Sequence, residues 1–157
     1  MKIKLIAIGK TDNQYLIKLI DTYKNRLQHY VTFELFVIPD LKNVKNISEN
    51  QQKEKEGELI LKHLLPTDQL ILLDEKGKEF RSIEFSQFLQ KKMNSGIKQL
   101  VFVIGGPYGF SKNVYLTAQG EVSLSKMTFS HQMIRLFMVE QIYRGFTILK
   151  NEPYHHE

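Results

Sequence analysis

The order of hydrophobic and polar positions along the chain predicts five strands that alternate with five helices. The segment 99–104 (QLVFVI) is the most strongly strand-like, and 69–73 is a short apolar run typical of strands that are covered on both faces. The predicted strands are 2–8, 31–38, 69–73, 99–104 and 122–124, and the predicted helices are a first one that ends at Leu27, followed by 51–64, 82–93, 112–118 and 132–149.

Polar segments between these elements predict loops and helix caps. Asp12 or Asn13 is placed to cap the first helix, and Ser111 is placed to cap the short fourth one. We expect 43–50 to be a loop and 74–81 to be a turn, because neither segment carries a regular apolar pattern.

The alternation of strands and helices predicts an α/β fold with a mostly parallel sheet flanked by helices. Neither a linker rich in Gly, Ser or Pro nor a repeat interrupts it, so we expect a single domain over residues 1–157. Ligands of such sheets bind beyond the carboxyl ends of the strands. The loops expected to contact a ligand are therefore 74–81, with Leu73 directly before it, 105–111 and 125–131.

Composition narrows the class of protein. The 157 residues carry 22 Lys+Arg and 17 Asp+Glu, a net charge of +5 that permits a polyanionic partner without requiring one. The absence of Cys excludes disulfides, thiolate zinc sites and Cys nucleophiles. The apolar run near residue 1 is too short for a signal peptide. No stretch of the chain approaches the roughly 18 consecutive apolar residues of a membrane-spanning helix. We expect a cytoplasmic protein that does not span a membrane.

Charge is sparse in the last third of the chain, and the final predicted helix is apolar nearly all round. Such a helix is buried on more than one side, which favours a two-fold homodimer; a central core helix is the alternative. Arg135, Glu140 and Arg144 interrupt its apolar surface, and Glu140 and Arg144 are spaced to pair along the helix. We expect each arginine to meet an anion, a carboxylate or RNA.

The loop at 105–110 (GGPYGF) follows a buried strand and precedes a short helix. Its glycines allow backbone to approach a ligand closely, although a simple tight turn would use the same residues. The spacing is neither G-x-G-x-x-G nor that of a P-loop, which disfavours a dinucleotide-dependent oxidoreductase. A non-catalytic module that binds a nucleotide or RNA remains an alternative.

Two further segments are candidates for function. The stretch 124–131 (LSKMTFSH) offers backbone N–H and C=O groups in a row, which suit an adenine edge, while Ser130 could equally be only the cap of the last helix. In the tail, Pro153 ends the helix, and Tyr154 and His155 form either a docking segment or a plain disordered end.

Three motifs carry a family resemblance: IGGPYG, LSKMTFSHQMIR and EQIYRGFTILKNEPYH. Together with the opening MKIKLIAIGK and the KEGE at 55–58, they resemble the RlmH (YbeA-like) family of SPOUT-class methyltransferases along the whole chain. The resemblance implies a C-terminal trefoil knot and a homodimer. It also implies S-adenosyl-L-methionine as methyl donor and N3 of a pseudouridine in 23S ribosomal RNA as methyl acceptor.

The resemblance also implies site residues. Around the open mouth of the pocket it places His131, Arg135, Tyr154 and His155. Ser130 stands where some relatives have Pro, which affects the loop but none of the chemistry. The cofactor pocket that it implies consists of Leu73, Gly105, Leu124, Ser125, Lys126, Met127, Thr128 and Phe129.

The chemistry expected of these residues follows from the weak acidity of the pseudouridine N3–H. We expect His155 or His131 to assist loss of that proton, and Arg135 to stabilise negative charge on the base carbonyls. No metal is expected. Because a net charge of +5 is small for an RNA enzyme, we expect the substrate to be the assembled ribosome.

Overall fold

A computed structural model describes residues 1–156 and contains one five-stranded sheet. All neighbouring strands are parallel, and their order is β2-β1-β4-β3-β5. This arrangement confirms the predicted α/β class and its parallel sheet. The strands are β1 (Lys2–Ile8), β2 (Thr32–Ile38), β3 (Gln69–Glu79), β4 (Gln99–Ile104) and β5 (Gly120–Ser123).

The helices cover both faces of the sheet. One hydrophobic cluster joins the sheet to α1, α3 and α5, and a second joins the opposite face to α2 and α4. Val101, Phe102 and Val103 of β4 are fully buried, as expected of a central parallel strand. The helices are α1 (Gln14–Leu27), α2 (Glu49–Lys62), α3 (Ser82–Asn94), α4 (Lys112–Thr117) and α5 (Met133–Leu149).

Caps fix where the first two helices begin. Of the two candidates at α1, Asn13 is the cap, because its side chain accepts from the N–H groups of Tyr15 and Leu16. At α2, Ser48 and Gln51 form a reciprocal capping box, so the helix begins at Glu49, inside the segment predicted as a loop. A short 3-10 turn, Val44–Asn46, also lies within that segment.

The predicted turn at 74–81 is wrong in part, because β3 continues to Glu79. Val122 of β5 is paired with both Leu73 and Lys78, so residues 74–77 form a bulge and β3 then resumes its pairing. Gly77 makes this possible, since a Cβ there would lie 2.7 Å from the backbone of Glu121 and Val122. The bulge lies beside the carboxyl end of the sheet, next to the site described below.

Helix α5 packs against α1 and α3 through a buried side that includes Met138, Val139 and Ile142. Its first turns leave apolar side chains in solvent: Met133 is 37% exposed and Phe137 is 36% exposed. The described residues contain no helix that is long and apolar enough to cross a membrane.

Candidate active site at the carboxyl edge of the sheet

A cavity of about 500 Å³ lies at the carboxyl edge of the sheet, beside the ends of β3, β4 and β5. The three loops singled out by the sequence meet there because the strands that precede them are parallel. Its wall combines backbone and apolar side chains with charged ones, which are Glu49, Lys53, Asp74, Glu75 and Lys76. The lining includes Leu73, Gly105, Leu124, Ser125, Met127, Thr128, Phe129 and His131, which are among the predicted site residues.

The glycine turn after β4 forms one wall. Gly109 has a φ of +79°, and its N–H donates to the carbonyl of Gly106 over 3.1 Å. A Cβ at Gly105 would lie 3.0 Å from the ring of Phe110, so glycine allows the ring to pack against the chain. The turn is therefore tight, as its composition predicts, and its backbone faces the cavity.

The loop before α5 forms the opposite wall and is held by its own hydroxyl groups. The Ser125 carbonyl accepts from Ser123 Oγ over 2.8 Å, and Ser125 Oγ accepts the Met127 N–H over 2.9 Å. Ser130 Oγ accepts the Met133 N–H over 3.1 Å, but the N-cap position of α5 is Gln132, so Ser130 is not the cap of this helix. Met127 is 76% exposed although it lines the cavity, which leaves this wall open to solvent.

Lys126 differs from its neighbours in this loop. Its side chain is 85% exposed, and its ammonium lies 3.9 Å from Glu79, outside the cavity lining. The structure therefore does not bring Lys126, alone among the predicted residues of the 124–129 loop, to the cavity.

Acidic side chains stand on the rim of the cavity, in the bulge of β3. Tyr115 donates to the carboxylate of Asp74, and Thr128 Oγ1 donates to Glu75 over 3.3 Å. Burial and the bond to Asp74 raise the pKa of Tyr115 well above its ordinary value, so this hydroxyl stays protonated. The rim thus joins the bulge to α4 and to the loop before α5.

Glu56 of α2 lies on the far side of the glycine turn, and it belongs to the KEGE motif at 55–58, to which the sequence assigned no site role. The residue is 3% exposed, and a Cβ at Gly106 would overlap its Oε2. Gln52 Nε2 donates to Oε1 over 2.9 Å, whereas Oε2 has no hydrogen-bond partner. Burial raises the pKa of this carboxyl, with a smaller opposing effect from Gln52. Its spacing of four from buried Ile60 was the signal that could have placed Glu56 on the inner face of α2.

Arg135 is 1% exposed and turns away from the cavity, toward the end of β1. Nη1 donates to the carbonyl of Gly9 and to Thr11 Oγ1, and Nη2 donates to the carbonyl of Ile8. Burial lowers the pKa of Arg135, and the charges of Asp40 and Asp12 oppose that effect. The sequence predicts an anion, a carboxylate or RNA at this guanidinium, but its hydrogen bonds go to backbone carbonyls and a hydroxyl.

Tyr154 and His155 follow α5, whereas His131 precedes it. The 17 residues of the helix span about 25 Å. Tyr154 donates to Glu140 Oε1 over 2.9 Å, and His155 Nδ1 lies 3.3 Å from an Arg144 nitrogen. Within one chain, therefore, the tail is not brought to the cavity.

Arg144 and Glu140 form the predicted pair along α5, with Nη2 2.6 Å from Oε1. Burial lowers the pKa of Arg144, but the hydrogen bond and charge of Glu140 outweigh that effect and raise it. The guanidinium also lies over the ring of Tyr154, 4.7 Å from its centroid.

The part of the chain that the structure describes shows no candidate metal site. Residues 1–156 contain no cluster of three or more His, Cys, Asp or Glu side chains able to hold a metal ion.

The sheet order and the position of the cavity define an α/β protein with a ligand cavity at the carboxyl edge of its sheet. A family model described as "Predicted SPOUT methyltransferase" matches residues 1–155. Three relatives share the name ribosomal RNA large subunit methyltransferase H: those of Flavobacterium johnsoniae (72% identical), Parabacteroides distasonis (69%) and Phocaeicola vulgatus (59%), each matched over the full length of both chains. The chain therefore belongs to the RlmH family of SPOUT methyltransferases.

Proposed function

We propose that the protein transfers a methyl group from S-adenosyl-L-methionine to N3 of a pseudouridine in 23S ribosomal RNA, and that it acts on the assembled ribosome in the cytoplasm. The observation that carries the proposal is the cavity in which Leu73, Gly105 and the 124–129 loop meet, in a chain of this family. The name shared by the relatives supports a large-subunit RNA substrate.

The cavity fits the proposed donor in size and chemistry. A volume of about 500 Å³ is within the range of small-molecule sites. Leu73, Leu124 and Phe129 offer apolar surface for a purine, and the backbone of the two loops offers N–H and C=O groups to its edge. The donor would supply a methyl group already activated on a positively charged sulfur. The residues that would hold it are Leu73, Gly105 and the loop 124–129, in which Lys126 does not line the cavity.

The protein's own part in the reaction is alignment and removal of a proton. The N3–CH₃ bond forms as the S–CH₃ bond breaks, and the N3 proton leaves to a base. His131 lines the cavity and is exposed, so it is the base candidate that a single chain supplies. Arg135 acts by fixing the start of α5 behind that histidine, since its guanidinium is engaged by the backbone at the end of β1.

A homodimer would complete the site. Phe129 and Phe137, whose ring centroids are 5.1 Å apart, present an exposed apolar surface beside the cavity together with Met133. A two-fold partner seated there would cover this surface and could bring its own Tyr154 and His155 to the cavity. This arrangement accounts for the separation of His131 from the tail within one chain.

We also propose the C-terminal trefoil knot. Two observations support it: β5 pairs with β3 at the edge of the sheet, and Gln132 bonds to Lys10 and Asp12, which follow β1. The segment 124–131 thus crosses the ends of two strands before α5 begins. Pulling the chain from both termini would test this. A knotted chain would extend less than 157 residues allow at about 3.6 Å each, whereas full extension would refute the knot.

Transfer of tritium from methyl-labelled donor tests the activity. We expect label in 23S RNA of intact ribosomes from cells lacking the protein, and much less in naked RNA. Single-turnover rates of His131→Ala and His155→Ala then test the base. Normal rates in both variants would exclude histidine, and donor binding without any transfer would favour a non-catalytic binding module.

A further inference from the structure

We propose that Glu56 gives the cavity its preference for a positively charged ligand: its carboxylate, behind Gly106, favours the sulfonium donor over the uncharged thioether that remains after transfer. The inference rests on the proposed function, because it concerns the ligand of the same cavity. It assigns a role to a residue that does not line that cavity.

The position of Glu56 carries the proposal. Gly106 lines the cavity on one side and touches the Glu56 carboxyl on the other, so a single layer of backbone separates the carboxyl from the ligand space. A side chain at residue 106 would fill the place where the carboxyl lies. Glycine therefore allows the close approach.

The charge of this carboxyl is poorly compensated. Glu56 is 97% buried, takes one hydrogen bond from neutral Gln52, and forms no ion pair with Lys or Arg in the described part of the chain. Leaving Oε2 without a partner is costly for a buried group, unless a ligand charge compensates it. Because the carboxyl is buried, its charge is screened less than a charge on the surface.

Protonation of Glu56 is then linked to binding. The groups that face its carboxyl are Gln52 on the same helix, Asp40 after β2 and His131 before α5. Burial and the charge of Asp40 raise its pKa, and His131 lowers it. A cation in the cavity favours the ionised form, so the donor should bind more tightly as pH rises through the titration of Glu56. The thioether, which carries no charge on sulfur, should show a weaker dependence.

Calorimetry with S-adenosylmethionine and S-adenosylhomocysteine tests the proposal. In Glu56→Gln, which keeps the shape, we expect the ratio of donor affinity to thioether affinity to fall about three- to tenfold. Glu58→Gln is the matched control, because Glu58 is exposed and lies on the same helix. Its ratio should equal that of the wild type.

Equal weakening of both ligands in Glu56→Gln would overturn the inference and leave the proposed function intact, since it would show a purely structural role. If the wild type bound neither ligand, the proposed function would fail and the inference with it. Should Glu56→Gln not fold, the wild-type protein gives the same information. Its affinity ratio rises with pH if the inference is right, and a ratio that is flat with pH overturns it.

Discussion

Arg135 Nη2 donates to the carbonyl of Ile8 over 2.7 Å, although the two residues are 127 positions apart. The bond joins the first turn of α5 to the end of β1. Gln132 adds to it, because it accepts the Asp12 N–H and donates to the carbonyl of Lys10, each over 3.0 Å. The start of α5, which follows the loop of the candidate site, is thereby fixed to β1, an inner strand of the sheet.

Replacing Arg135 by Met should destabilise the protein without removing a group from the cavity. The change leaves the carbonyls of Ile8 and Gly9 buried without donors, and we expect the free energy of unfolding to fall by about 2–4 kcal/mol. Urea denaturation measures this. Arg26→Met, at an exposed position of α1, is the control and should cost at most about 1 kcal/mol. Similar losses in the two variants would contradict the role assigned to Arg135.

The tail should lose part of its attachment at high pH. Tyr30 donates to the carboxylate of Glu152, and this bond raises the pKa of Tyr30 to about 12. Its stabilising effect is complete below the ordinary pKa of about 10 and is lost as pH rises through about 12, because only the protonated hydroxyl donates. Unfolding of the wild type and of Tyr30→Phe should therefore differ at pH 8 and converge near pH 12. Tyr15→Phe, at a side chain that is 77% exposed, is the control. A difference that stays constant with pH would refute this role for the hydroxyl.

The sheet and the position of the cavity could be predicted from the sequence because both depend on local pattern. Runs such as 99–104 identify buried strands, and parallel strands place their carboxyl ends, and the loops that follow them, at one edge. The pairing of Glu140 with Arg144 was predictable for the same reason, since a spacing of four along a helix is local.

The features that the sequence did not reveal depend on contacts between distant segments. The bulge at 74–77 requires Gly77 to meet the backbone of Val122, and the buried carboxyl of Glu56 requires Gly106 to face α2. A glutamate in a charged helix, read alone, is a surface residue. Likewise, no periodicity could show that the partners of Arg135 are the carbonyls of Ile8 and Gly9.

The apolar surface beside the cavity should hold the proposed dimer together. Phe137→Asp puts a charge in the centre of that surface, next to Phe129, and we expect the variant to be monomeric in sedimentation. Leu116→Asp is the control: Leu116 is 74% exposed on α4, which packs on the opposite face of the sheet, and its variant should sediment as the wild type does. If the wild type is itself a monomer at micromolar concentration, the dimer proposal fails.

A side chain at residue 106 should disturb the cavity through Glu56. In Gly106→Ala the new Cβ overlaps the carboxyl of Glu56, so the glycine turn must move, and we expect donor affinity to fall at least about tenfold. Gly120→Ala is the control, because its Cβ would make only an ordinary contact, 3.4 Å from Ile71.

The double variant Gly106→Ala/Glu56→Ala tests whether this loss of affinity passes through Glu56. It removes the overlap and should bind the thioether better than Gly106→Ala alone, which calorimetry measures as a favourable coupling. Strictly additive losses would mean that Glu56 and Gly106 do not touch in solution, and the carboxyl would then lie too far from the cavity to sense the charge of its ligand.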